Sequence, residues 1–186
     1  MSDEDRQKWN SRYREEGPLP GPPAAFLTSL DGLLPRRGRA LDVAGGSGRN
    51  AVWLAERGLD VTLVDISAAA LELAVAAAGK TPLRTVLADL DVDPLPAGPW
   101  DLIVSFNFLW RALFDVAPRL LSPGGLLVYG QPTRKNLERH AKPPAGFLLE
   151  DGELPSLVRE LEIVRCEEGW TEEGRHEARL VARRPA

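Results

Sequence analysis

The stretch ALDVAGGSGRNAVWLAERGLDVTLVD, residues 40–65, leaves few folds open. A short apolar run ends in an acid, Asp42. A glycine-rich turn follows (Gly45, Gly46, Gly48), then a helical pattern that stops at Gly58. A second apolar run, residues 61–64, ends in another acid, Asp65. Strand, glycine turn, helix and strand in this order make one nucleotide-binding βαβ half. The acid before the turn narrows the nucleotide. A carboxylate beside the loop repels a pyrophosphate and attracts a cationic, phosphate-free ligand.

The rest of the chain continues the alternation. Residues 3–16 read as a polar helix with Trp9 and Tyr13 on one face, four apart. GPLPGPP, residues 17–23, is a break, and 24–34 a helix. Strand one is 41–43 and its helix 50–57; strand two is 61–64 and its helix 67–78, with Ser67 as N-cap. Strand three is 83–88, and 91–99 is loop. Strand four, 101–105, is nearly all apolar, as a strand buried on both faces should be. A helix at 112–121, a turn at 122–125 and strand five at 126–129 follow. Residues 131–147 form a basic, Pro-rich loop, and 154–161 a helix. Two late strands, 162–167 and 177–183, are separated by about nine residues, too few for a crossover helix. The expected fold is therefore α/β: a Rossmann-like, seven-stranded, mainly parallel sheet with an antiparallel terminal hairpin and helices on both faces. One domain should span 1–186, with 1–34 a helical lid and 38–186 the core.

Composition excludes several classes. The chain has 186 residues and a net charge of −4, and its basic residues form no stripe, which argues against a nucleic-acid groove. No apolar segment nears the roughly 20 residues a membrane span needs. The charged N-terminus has no signal-peptide core, and a single cysteine rules out a multi-cysteine metal site. A cytoplasmic location without a membrane partner is expected, and nothing fixes the oligomeric state.

LDVAGGSGRN, VTLVDIS, ADLD, DLIVSFNFL and LSPGGLLVY, in this order, resemble the class I S-adenosylmethionine-dependent methyltransferases. The Arg49–Asn50 pair, the segment 147–154 and the early Trp9 and Tyr13 resemble the small tellurite-resistance and thiopurine types. Where that family usually has Gly-Cys or Gly-Ser, this chain has Ala44-Gly45. The resemblance implies S-adenosyl-L-methionine as cofactor. Asp42 would lie near its amino end, with Gly46 and Gly48 letting the backbone approach. Asn50 would either cap the helix or touch the cofactor carboxylate. Asp65 would accept both ribose hydroxyls, Ile66 would pack on adenine, and Asp89 with the Leu90 amide would read the adenine edge. Phe106 would lie by the transferable methyl, and Trp9 and Tyr13 over the cofactor.

For the acceptor, Asn107 and Arg111 lie one helical turn apart and could orient an anion. The only histidines, His140 and His176, are the candidate bases. The acceptor would be a small molecule: a thiol, a metalloid oxyanion or a hydroxyl. Two other readings stay open. Gly46, Gly48 and Ala51 fit the G-x-G-x-x-A spacing of a dinucleotide oxidoreductase, and a cofactor-binding protein without catalysis would look the same.

Overall fold

A computed structural model of the protein describes residues 3–18 and 21–186. Of the 17–23 break, Leu19 and Pro20 lie outside the described residues. The sheet holds β1 (Arg39–Val43), β2 (Asp60–Asp65), β3 (Arg84–Leu87), β4 (Trp100–Phe106), β5 (Leu121–Pro132), β6 (Glu162–Trp170) and β7 (His176–Arg183). Their order is β3-β2-β1-β4-β5-β7-β6. The first five strands run parallel, and β7 inserts antiparallel between β5 and β6. The expected mixed sheet with its reversed terminal hairpin is what the chain forms.

Helices flank the sheet: α1 (Asp3–Glu16), α2 (Ala25–Ser29), α3 (Arg49–Glu56), α4 (Ala68–Ala78), α5 (Leu113–Leu120) and α6 (Leu154–Leu157). Strand alternation divides the core in two. Leu41, Val43, Ile103, Leu127, Tyr129 and Leu180 face one cluster with α5 and α6. Ala40, Leu102, Val104, Val128 and Val181 face the other, with α2 and α3. Among the described residues no helix is long and apolar enough to cross a membrane.

Several elements differ from expectation. The helix expected at 24–34 holds only Ala25–Ser29 and then relaxes into turns, and that expected at 154–161 stops at Leu157. SPGG, residues 122–125, is not a turn before β5 but lies within it. The pairing with β4 jumps from Trp100–Leu121 to Leu102–Leu126, so the intervening residues bulge. Arg184 holds that bulge from outside: its amide donates to Gly125 O, and its carbonyl accepts from Gly124 N. The basic loop carries two short 3₁₀ turns, Arg134–Glu138 and Ala145–Phe147, and Thr133 bridges Leu149. The terminal hairpin is tighter than expected, because β6 runs on to Trp170 and β7 starts at His176.

Candidate active site

The carboxyl ends of β1, β2 and β4 open on one cavity, where an open α/β sheet places its ligands. Its floor is the glycine turn. Ala44, Gly46 and Gly48 all have positive φ, at 55°, 57° and 82°. Gly48 is forced: a Cβ there would lie 2.7 Å from Ala74 Cβ, so glycine lets α3 and α4 close together. Ala44, where the family pattern has glycine, is an L-residue held in the left-handed region that glycine adopts more easily.

Two acids line the floor. Asp65 uses both carboxylate oxygens: Oδ2 accepts from the Gly46 amide at 2.8 Å and Oδ1 from Ser67 at 2.9 Å. Asp42 is buried, and its Oδ2 has no hydrogen-bond partner. Burial pushes its carboxyl up to about 7, helped by the Asp65 charge, while the Ala51 amide and Arg49 pull it down. Burial also raises Asp65, against the Ser67, Gly46 and Ile66 amides.

Helix α1 lies across this floor. Trp9 and Tyr13 line the cavity, with ring centroids 6.1 Å apart. The Tyr13 phenol sits over Gly46, and burial together with the Asp65 charge pushes it up to about 12. Asn10 fixes the helix in place. Its Oδ1 accepts from Ser67 Oγ at 2.9 Å and from the Ala69 amide at 3.1 Å, at the start of α4. Arg6 lies 3.8 Å from Asp89. No sequence motif marks Asn10 or Arg6, because their partners belong to an element more than fifty residues away.

Ile66, Leu90, Phe106 and Asn50 also line the cavity, joined by Ser47, Arg49 and Phe108, which the sequence reading did not include. Asn50 neither caps α3, whose N-cap is Gly48, nor leaves its oxygen free. Asn50 Oδ1 accepts from the Ala24 amide at 2.9 Å and tethers the segment leading into α2. Gly48 and Asp89 do not line the cavity. Asp89 Oδ1 accepts from the Asp91 amide at 3.1 Å.

The acceptor side departs most from expectation. Asn107 lines the cavity in a left-handed conformation (φ 58°), and its Oδ1 accepts from Arg175 at 2.7 Å. Tyr129 Oη donates to Phe108 O at 3.1 Å and holds the 106–108 segment from below. Arg111, His140 and His176 do not line the cavity. Arg111 grips Glu153 through two hydrogen bonds of 2.5 and 2.9 Å. His140 Nε2 meets Gly174 O at 2.7 Å, and a carbonyl can only accept, so this nitrogen carries the proton. His176 is buried against Thr133 Oγ1 at 2.7 Å and edge-on to Trp170. β7 begins one residue earlier than expected; His176 turns to Thr133, while Arg175 beside it reaches Asn107 on the cavity rim.

The family model for a methyltransferase domain matches residues 40–125. That match takes in the glycine turn, both acids and β2 to β4. The donor set suits a cationic nucleotide such as S-adenosyl-L-methionine: two acids and a glycine floor line the cavity, and one buried carboxylate oxygen of Asp42 is unpaired. No curated protein sequence matches the chain. The chain is similar in fold to an S-adenosylmethionine-dependent methyltransferase from Mesorhizobium loti (23% identity, 87% of this chain and 98% of that one, TM-score 0.70). It is also similar to a TehB-like methyltransferase from Corynebacterium glutamicum (23%, 97% and 96%, TM-score 0.64). A third similar structure is TehB from Haemophilus influenzae (19%, 95% and 67%, TM-score 0.72).

Proposed function

We propose that the protein transfers the methyl group of S-adenosylmethionine to a small-molecule acceptor that enters beside Phe106, Asn107 and Phe108. The observation that carries this reading is Asp42: a buried acid with an unpaired oxygen, on the floor of a cavity shared with Asp65. Two carboxylates disfavour a pyrophosphate and favour an ammonium and a sulfonium. The dinucleotide reading therefore loses, despite the spacing of Gly46, Gly48 and Ala51.

In this reading Asp42 faces the amino end of the cofactor, Asp65 its ribose, and Ile66 and Leu90 its adenine. The residues up to 34 act as a lid, with Trp9 and Tyr13 excluding water from above. The cofactor supplies an already electrophilic methyl group, so the chain contributes alignment and dryness rather than a covalent nucleophile. Both histidines are held in contacts of their own, which favours an acceptor that arrives ionised. A thiolate or a metalloid oxyanion fits better than a hydroxyl.

Turnover of radiolabelled S-adenosylmethionine across thiols, selenite, tellurite and small phenols tests the reading. Label should appear on a thiol or an oxyanion. Cofactor binding without label transfer to any of the panel would return the protein to a binding role.

A further inference from the structure

Asp42 is surrounded in a way that no ribose or adenine contact explains. Asp65 faces it from β2, with both oxygens already accepting backbone amides. From α3 come the Ala51 amide and Arg49. Arg49 is committed elsewhere in part, donating to Pro22 O at 3.2 Å. From α1 the Tyr13 phenol adds no charge, since burial holds its proton. From β4, Ser105 donates its hydroxyl to Val43 O and not to Asp42. Gly45 closes over the carboxylate so tightly that a Cβ would stand 2.6 Å from Oδ2. The group is thus a buried acid beside a second acid, with one oxygen unpaired and its nearest cation shared. An ionised carboxylate in such a place is strained by desolvation and like charge.

We propose that Asp42 holds a proton until the cationic end of S-adenosylmethionine enters, and that cofactor binding expels this proton to solvent. The inference rests on the cofactor reading above. It assigns Asp42 a second property, selection of ligand charge with proton release. Entry of a cation removes the reason for the proton, and the ion pair that forms is dry. Affinity for the cofactor is then weak in acid and strengthens as pH rises through the titration of Asp42, by up to tenfold per pH unit on the acid side.

Isothermal titration of S-adenosylmethionine into the whole protein tests this at pH 6 and 7, in two buffers of different ionisation heat. The wild type should release up to about half a proton at pH 7 and nearly one at pH 6, since Asp42 titrates near 7. Asp42→Asn should bind about tenfold more weakly, with the acid-side pH dependence gone and proton release reduced to the ligand's own contribution. Asp65→Asn removes the neighbouring charge without touching Asp42 and should lower the release at pH 7, so the test survives if Asp42→Asn does not fold. Equal proton release by wild type and Asp42→Asn would overturn the proposal, as would tight wild-type binding with no release. Both outcomes leave the cofactor assignment standing. Absence of any wild-type binding would instead defeat the cofactor reading on which the proposal rests.

Discussion

Arg175, near the tip of the last hairpin, donates to Asn107 Oδ1 at the end of β4, 2.7 Å away and 68 residues earlier in the chain. A second guanidinium nitrogen of Arg175 lies 3.3 Å from Glu177. One side chain thus ties the late hairpin to the rim of the cavity. Asn107 has φ 58°, a region asparagine tolerates better than alanine. Asn107→Ala should therefore be less stable than Asn107→Gly, by about 1 kcal/mol. Both lose the Arg175 contact, and both should raise the acceptor KM alike. Chemical denaturation and steady-state kinetics on the pair separate backbone strain from acceptor positioning.

Ala44→Gly should stabilise the protein slightly. The left-handed conformation costs an alanine roughly 1–2 kcal/mol, and glycine's extra unfolded-state entropy offsets about 0.5–1 of that. A net gain of about 0.5 kcal/mol should appear in the denaturation midpoint. Cofactor affinity should be unchanged or tighter.

Two glycines of the same turn should respond differently to alanine. At Gly48 the new methyl meets Ala74 Cβ at 2.7 Å and Leu63 Cδ1 at 3.3 Å, both packed. Strain and overpacking together should cost roughly 2–5 kcal/mol of stability. At Gly46 the methyl meets only the Tyr13 phenol, the far end of a side chain that can swing away. Gly46→Ala should fold with a smaller loss, yet bind the cofactor more weakly because α1 no longer seats. Thermal unfolding beside a cofactor titration gives both readouts.

The ligand-free protein should become less stable as pH rises from about 4 to about 7. Asp42 keeps its proton in the folded state up to about 7 but loses it in the unfolded chain near 4. The unfolded state binds fewer protons across that window, so the contribution of this group to unfolding free energy falls with rising pH. Asp42→Asn should remove that slope and gain stability at pH 8, by up to about 4 kcal/mol for about three pK units. Urea denaturation of both proteins at pH 5 and 8 measures it.

The glycine turn, its two acids and the reversed hairpin were legible in the sequence, because each is a local pattern that a single βαβ half or a short connection dictates. The 122–125 bulge was not, since Ser-Pro-Gly-Gly reads as a turn until Arg184 supplies outside partners. The acceptor side failed for a sharper reason. The tip of the hairpin is residues 171–175, and neighbouring side chains at the start of a strand point to opposite sides, which composition alone does not order. His176 therefore turns toward Thr133, and its neighbour Arg175 toward Asn107. Arg111 read as a free cation only while Glu153, 42 residues later, was out of view.

The central claim is that the paired acids at the glycine turn select a cationic, phosphate-free nucleotide. Parallel calorimetric titrations with S-adenosylmethionine and with NADH, on wild type and Asp65→Ala, test it most directly. Saturable S-adenosylmethionine binding, weakened by about 1–3 kcal/mol in Asp65→Ala, is the expected result, with no heat from NADH. NADH binding that Asp65→Ala weakens, with S-adenosylmethionine inert, would contradict it.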